Sequence, residues 1–175
     1  LFLWILKKIF YESLDKTRIE KISKKHNISR LLAQILINRG ITDDEQIDVF
    51  LNPKRNNFHN PFLMNDMEKA VDRIIKAIEN KEKTIIYGDY DVDGITSITV
   101  MYKFLKKLGL NVIYYLPDRL MEGYGVNTGA LDKIKNEGVK LVITVDCGIT
   151  AVEEVNYAKS IGLDMCITDH HECAD

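Results

Sequence analysis

The sequence predicts an α/β fold, a parallel sheet with alternating helices, preceded by a small helical segment at the amino end. Three observations carry this. Four short apolar runs, KTIIYG (83–88), NVIYYLP (111–117), KLVITVD (140–146) and DMCIT (164–168), have the length and composition of buried strands. Between them lie stretches of helical length that end at Gly109, Gly138 and Gly162. The charge also divides: residues 1–60 carry 11 Lys+Arg against 7 Asp+Glu, net +4, and residues 61–175 carry 13 against 19, net −6.

Taken in order, residues 18–25 are helix-like, and Ser29 can cap a second helix, RLLAQILINR, that Gly40 stops. Thr42-Asp43-Asp44-Glu45 fits a capping box opening a third short helix, IDVFL, which Pro53 ends. Residues 53–64 form an irregular connector. Beyond Asp66, residues Ala70, Val71, Ile74, Ile75 and Ile78 fall at helical spacing. After the first strand, a helix is expected from Ile95 to Leu108. Asn127 caps the next, and Thr150 with Glu153 forms a capping box for the last. The expected division is a small basic helical segment, 1–60, and an α/β domain, 61–175, cut short at its carboxyl end. The chain starts on Leu1 and stops just after its fourth strand-like run, so it is expected to be a fragment.

With 175 residues, 46% of them hydrophobic and 29% charged, the chain has material for a core, which excludes disorder and low-complexity scaffolds. The opening LFLWILKKIF places its lysines after the apolar residues and lacks a small-residue cleavage site, so it is not expected to act as a signal peptide. No run approaches the roughly 20 apolar residues of a membrane span. Cys147, Cys166 and Cys173 show no paired metal spacing. A reducing, cytoplasmic setting with no membrane partner is the simplest expectation.

In a right-handed parallel sheet every strand delivers its carboxyl end to one edge, where ligands bind. Asp89-Tyr90-Asp91-Val92-Asp93-Gly94 follows the first strand, Asp146-Cys147-Gly148 the third and Asp169-His170-His171-Glu172 the fourth. So many carboxylates repel unless cations sit among them. Oxygen donors with imidazole suit Mn²⁺, Mg²⁺ or Zn²⁺, and the pattern fits two ions about 3.5–4 Å apart, as in phosphoester hydrolysis. An EF-hand loop would need Glu at its twelfth position, which is Val100. A DxDGT-type phosphatase with Asp91 as nucleophile would leave Asp89, Asp146 and the histidines without a role. Neither G-x-G-x-x-G nor G-x-x-x-x-G-K-[ST] occurs. After the second strand come Arg119 and the Glu122-Gly123-Tyr124-Gly125 loop.

The order DxDxDG, VDCG, DHH resembles the DHH phosphoesterase superfamily. With ISRLLAQILINRGI, FLNP, NPFLMNDMEKAVDRI and the YLPDRLMEGYGVN segment, the chain is most similar to the branch of single-strand-specific exonucleases. The resemblance implies a DHH-type domain and a two-metal enzyme, with Mn²⁺ or Mg²⁺, hydrolysing single-stranded DNA in the 5′ to 3′ direction in repair and recombination. It implies Asp89, Asp91, Asp93, Asp146 and His170 as metal ligands, with Asp146 bridging. His171 would sit by the scissile phosphate, with Asp169 orienting the site from just outside. By the same resemblance Asp91, Asp146, His170 and His171 would form the catalytic group, and His171, Arg119, Gly123, Tyr124 and Gly125 would contact substrate, Arg119 as a phosphate contact and Tyr124, or Tyr115 of the second strand, as a face for base stacking. Single-strand-binding protein is a candidate partner. Some members of the family carry a histidine where this chain has Tyr87. Members also carry a further ligand aspartate beyond the DHH motif, so these residues alone are expected to bind metal weakly and cleave poorly. The alternatives are another DHH phosphodiesterase, acting on short oligonucleotides or cyclic dinucleotides, or a DHH-like scaffold that has lost catalysis.

Overall fold

The computed structural model describes residues 16–118, 123 and 125–173. The chain divides into two compact units, Leu1–Leu63 and Met64–Asp175. In the first unit, helices α1 (Lys16–His26), α2 (Arg30–Asn38) and α3 (Asp44–Leu51) close around Ile19, Ile22, Ala33, Leu36 and Ile47. Ser29 caps α2 as expected, accepting from the Leu32 N–H. The cap of α3 is Asp43 rather than Thr42, because its carboxylate reaches the N–H groups of both Glu45 and Gln46. The connector contains two short 3₁₀ turns, Arg55–Asn57 and Pro61–Leu63.

The second unit is a four-stranded parallel sheet of β1 (Thr84–Gly88), β2 (Val112–Tyr115), β3 (Leu141–Val145) and β4 (Asp164–Thr168), in the order β2-β1-β3-β4. The central strands β1 and β3 are buried along their whole length, which is why they read as unbroken apolar runs. Helices α4 (Met67–Glu79) and α5 (Val92–Lys107) contribute Ala77, Ile98 and Leu105 to one face, over Ile86, Leu141 and Ile143. Helices α6 (Thr128–Asn136) and α7 (Val152–Ser160) contribute Leu131, Ile134 and Ala158 to the other, over Ile85, Tyr87 and Val142. The two-residue period of β1 therefore sends Ile86 to one layer and its neighbours to the other.

The chain leaves β1 toward β2 and returns on the far side of β1 to form β3. The strand order thus reverses between β1 and β3, and a crevice at that carboxyl edge is the expected ligand position in an open α/β sheet. At the opposite edge Arg73 of α4 binds Glu82 (2.7 Å) and Asp164 (2.6 Å), fastening the helix to the start of β4.

Two helix starts differ from expectation. Helix α5 begins at Val92, not Ile95, since Asp91 accepts from the N–H groups of Asp93 and Gly94 and so caps it. The acidic motif is therefore mostly helix start rather than loop. Helix α7 has Ala151 at its cap position with no side-chain bond; the turn after Gly148, where φ is +105°, takes up Thr150 first. Among the described residues no helix is long and apolar enough to cross a membrane.

Candidate metal centre

Glycine sets how closely α5 approaches β1. A Cβ on Gly94 would lie 2.2 Å from the carbonyl oxygen of Asp89, so only glycine lets the helix start beside the strand end. This contact brings Asp89, Asp91 and Asp93 to the carboxyl edge. Asp89 is buried, and its carboxylate accepts from the Tyr90 N–H at 2.7 Å. Asp91 is committed through Oδ1 to the cap of α5, while Asp93 stands exposed in the first helical turn.

Across the reversal point, Asp146 ends β3 in the left-handed region with φ +60°, a conformation that costs energy for a residue with a side chain. Its N–H donates to the Thr168 carbonyl at 3.0 Å, so β3 and β4 stay paired through this turn. Its carboxylate, buried, meets Nε2 of His170 at 2.9 Å. The Asp169 carboxylate turns the other way. It accepts from the Ile149 N–H at 3.0 Å, from the His170 and His171 N–H groups at 2.8 and 3.2 Å, and from His171 Nδ1 at 2.7 Å. The two histidine rings stack with centroids 4.4 Å apart.

These contacts govern the charges. Burial alone would raise the Asp169 carboxyl, but the Ile149 N–H and the His171 ring outweigh it and hold the carboxyl below its ordinary value. His171 moves up, first through its bond to Asp169 and further through the charges of Asp169, Asp146 and Asp91. Cys147 is pushed up to about 12 by burial, then by Asp169, Asp89 and Asp146. It is a neutral core thiol around which three carboxylates converge.

One oxygen of Asp146 and one ring nitrogen each of His170 and His171 lie within 4.8 Å of one another, a donor set able to hold a divalent ion. Asp89, Asp91 and Asp93 are not in that group. Asp93 lines, with Asp146, Asp169 and His170, a cavity of about 660 Å³ that is also walled by Val100, Met101 and Phe104 of α5. That apolar wall went unread in the sequence, where these residues look like ordinary helix periodicity. Gly123 and Gly125 have φ +76° and +84°. Arg119, Glu122 and Tyr124 lie outside the described residues. Tyr115, considered for base stacking, instead packs against the core and stacks on Tyr87 at 5.2 Å.

Residues 83–175 match the DHH family, N-terminal domain. The chain belongs to the DHH family. Among curated members, the single-stranded-DNA-specific exonuclease RecJ of Bacillus subtilis (strain 168) is 47% identical over 158 residues, 90% of this chain and 20% of that protein. RecJ of Escherichia coli (strain K12) is 35% identical over 109 residues, 62% of this chain and 19% of that protein. The chain thus spans about a fifth of the length of these DHH relatives. A crystal structure of exonuclease RecJ bound to manganese superposes with a TM-score of 0.60 at 32% identity, over 64% of this chain and 29% of that one. RecJ from Thermus thermophilus in complex with Mn²⁺ gives 0.64 at 23% identity, over 90% and 22%, which is a likeness of fold.

Proposed function

We propose that this chain forms the metal-binding part of an exonuclease that hydrolyses single-stranded DNA from the 5′ end, in repair and recombination in the cytoplasm. The observation that carries the reading is the convergence of Asp146, His170 and His171 at the sheet reversal, beside Asp89 and the capped acidic start of α5. The RecJ relatives support the single-stranded substrate, and the solved relatives bound to manganese support the metal.

Asp89, Asp91, Asp93, Asp146 and His170 would hold two ions, Mn²⁺ or Mg²⁺. Such ions lower the pKa of attacking water and neutralise charge on the phosphoryl and leaving oxygens. The protein's part is placement and charge. His171, drawn toward its cationic form by Asp169, presents a donor to the scissile phosphate. Asp169 fixes the ring by accepting from Nδ1, and the Ile149 N–H in turn fixes Asp169. Gly123 and Gly125 leave room for close approach of the strand, Arg119 supplies a guanidinium fork to a phosphate, and Tyr124 a face for a base. Single-strand-binding protein is the partner that would present such a substrate.

The test is substrate choice by the full-length protein with Mn²⁺. Mononucleotide release from 5′-exposed single strands, with duplex, cyclic dinucleotide and pyrophosphate left intact, is the expected result. Turnover of cyclic dinucleotides or pyrophosphate with single strands untouched would move the protein to another branch of the family.

A further inference from the structure

Tyr87 stands in β1 two residues before Asp89, and its side chain is fully buried in the layer under α6 and α7. Its hydroxyl donates to the Gly125 carbonyl at 2.9 Å and accepts from Nδ2 of Asn127 at 3.3 Å. Asn127 uses its other atom, Oδ1, to cap α6 through the Ala130 N–H at 2.8 Å. One phenol therefore joins the central strand to both the glycine turn and the start of α6. The stack on Tyr115, in register on β2, sets the height of the ring, so the hydroxyl reaches a defined point.

Gly125 forms one wall of a polar recess of about 240 Å³, whose other wall is Gly148, Thr150 and Glu154. Gly148 follows the Asp146 turn, and the next N–H, that of Ile149, is the one that holds Asp169. Gly125 and Gly148, both with positive φ, line the recess with backbone alone, and Gly148 stands two residues after Asp146.

We propose that Tyr87 is a positioning residue for substrate. Its hydroxyl fixes the Gly125 carbonyl, and with it the wall of the recess along which the sugar-phosphate backbone next to the scissile phosphate lies. This rests on the single-strand nuclease reading above.

The test is Tyr87→Phe in the full-length protein, which removes the hydroxyl and keeps the stacked ring. Steady-state hydrolysis of a single-stranded oligonucleotide should show KM raised roughly five- to ten-fold, the range one hydrogen bond spans, with kcat within about twofold and the Mn²⁺ dependence unchanged. Asn127→Asp, which keeps the cap oxygen and removes the amide donor, should shift KM in the same direction by less. Unchanged KM in both variants, or a fall in kcat at unchanged KM, overturns the proposal. If Tyr87→Phe does not fold, Asn127→Asp decides by the same criterion. Failure of the nuclease reading shows separately, as wild-type protein that leaves single strands intact, and it removes the proposal with it.

Discussion

His170 Nε2 lies 2.9 Å from Asp146 Oδ1, joining the ends of β4 and β3 at the carboxyl edge of the sheet. Neither residue reaches this point by loop flexibility. Asp146 is turned in by a left-handed backbone, and His170 follows a strand whose pairing continues through the Asp146 N–H. The pair is built into the sheet, so substitutions there should disturb chemistry far more than folding.

Asp169 tests how much of that chemistry depends on support. Its carboxylate orients His171 and is held by the Ile149 N–H. Asp169→Asn keeps the shape and weakens the acceptor. Nuclease activity of the full-length protein should fall about 10- to 100-fold, the usual cost of losing such a partner. The melting temperature should move little.

Gly94 should tolerate no side chain. A Cβ there would sit 2.2 Å from the Asp89 carbonyl oxygen and 2.7 Å from its nitrogen, both backbone atoms that cannot swing aside. Gly94→Ala is expected to destabilise the second unit by about 3 kcal/mol or more, read by urea denaturation, and to abolish Mn²⁺ binding as α5 moves off the strand end.

The cysteines should separate by reactivity. Cys147 and Cys166 are buried and Cys173 is exposed, and burial followed by neighbouring carboxylates pushes the Cys147 thiol up to about 12. Iodoacetamide at pH 8 should therefore label Cys173 in the native protein and all three after unfolding, as read by mass spectrometry. Native labelling of Cys147 would contradict the buried turn after β3.

In the first unit Asp44 bonds Lys25 and His26, and those bonds, Lys25 first, hold its carboxyl below the ordinary value. A depressed carboxyl stabilises the fold above its unfolded pKa of about 4, and that contribution is lost as pH falls through the lower folded value. NMR titration of the Asp44 carboxyl should give a midpoint below that of an unpaired aspartate. Lys25→Ala should move the midpoint up, and Asp44→Asn should flatten the acid limb of stability.

The alternation of strands and helices was legible because β1 and β3 are buried on both faces and their apolar runs have no rival reading. DMCIT was read to its ends. What the sequence hid was the local competition for caps. Asp91 looked like a loop ligand, yet its spacing to the N–H groups of Asp93 and Gly94 makes it a helix start. Thr150 has the right type for a cap but sits inside a turn set by Gly148. The site residues were legible as types at strand ends. Their grouping was not, because the closeness of His171 to Asp146 depends on ring stacking and on Asp169, neither of which has a sequence period. The bonds of the Tyr87 hydroxyl to Gly125 and Asn127 were equally invisible, since they join residues 38 and 40 positions apart that no periodicity links.

The most direct measurement is Mn²⁺-dependent hydrolysis of a 5′-labelled single strand by the full-length protein, comparing wild type with Asp91→Ala and His170→Ala at matched folded fraction. Wild type should release mononucleotides only when the ion is present, and each variant should lose about 100-fold or more. Undiminished hydrolysis in both variants would contradict the assignment of this edge as the metal centre.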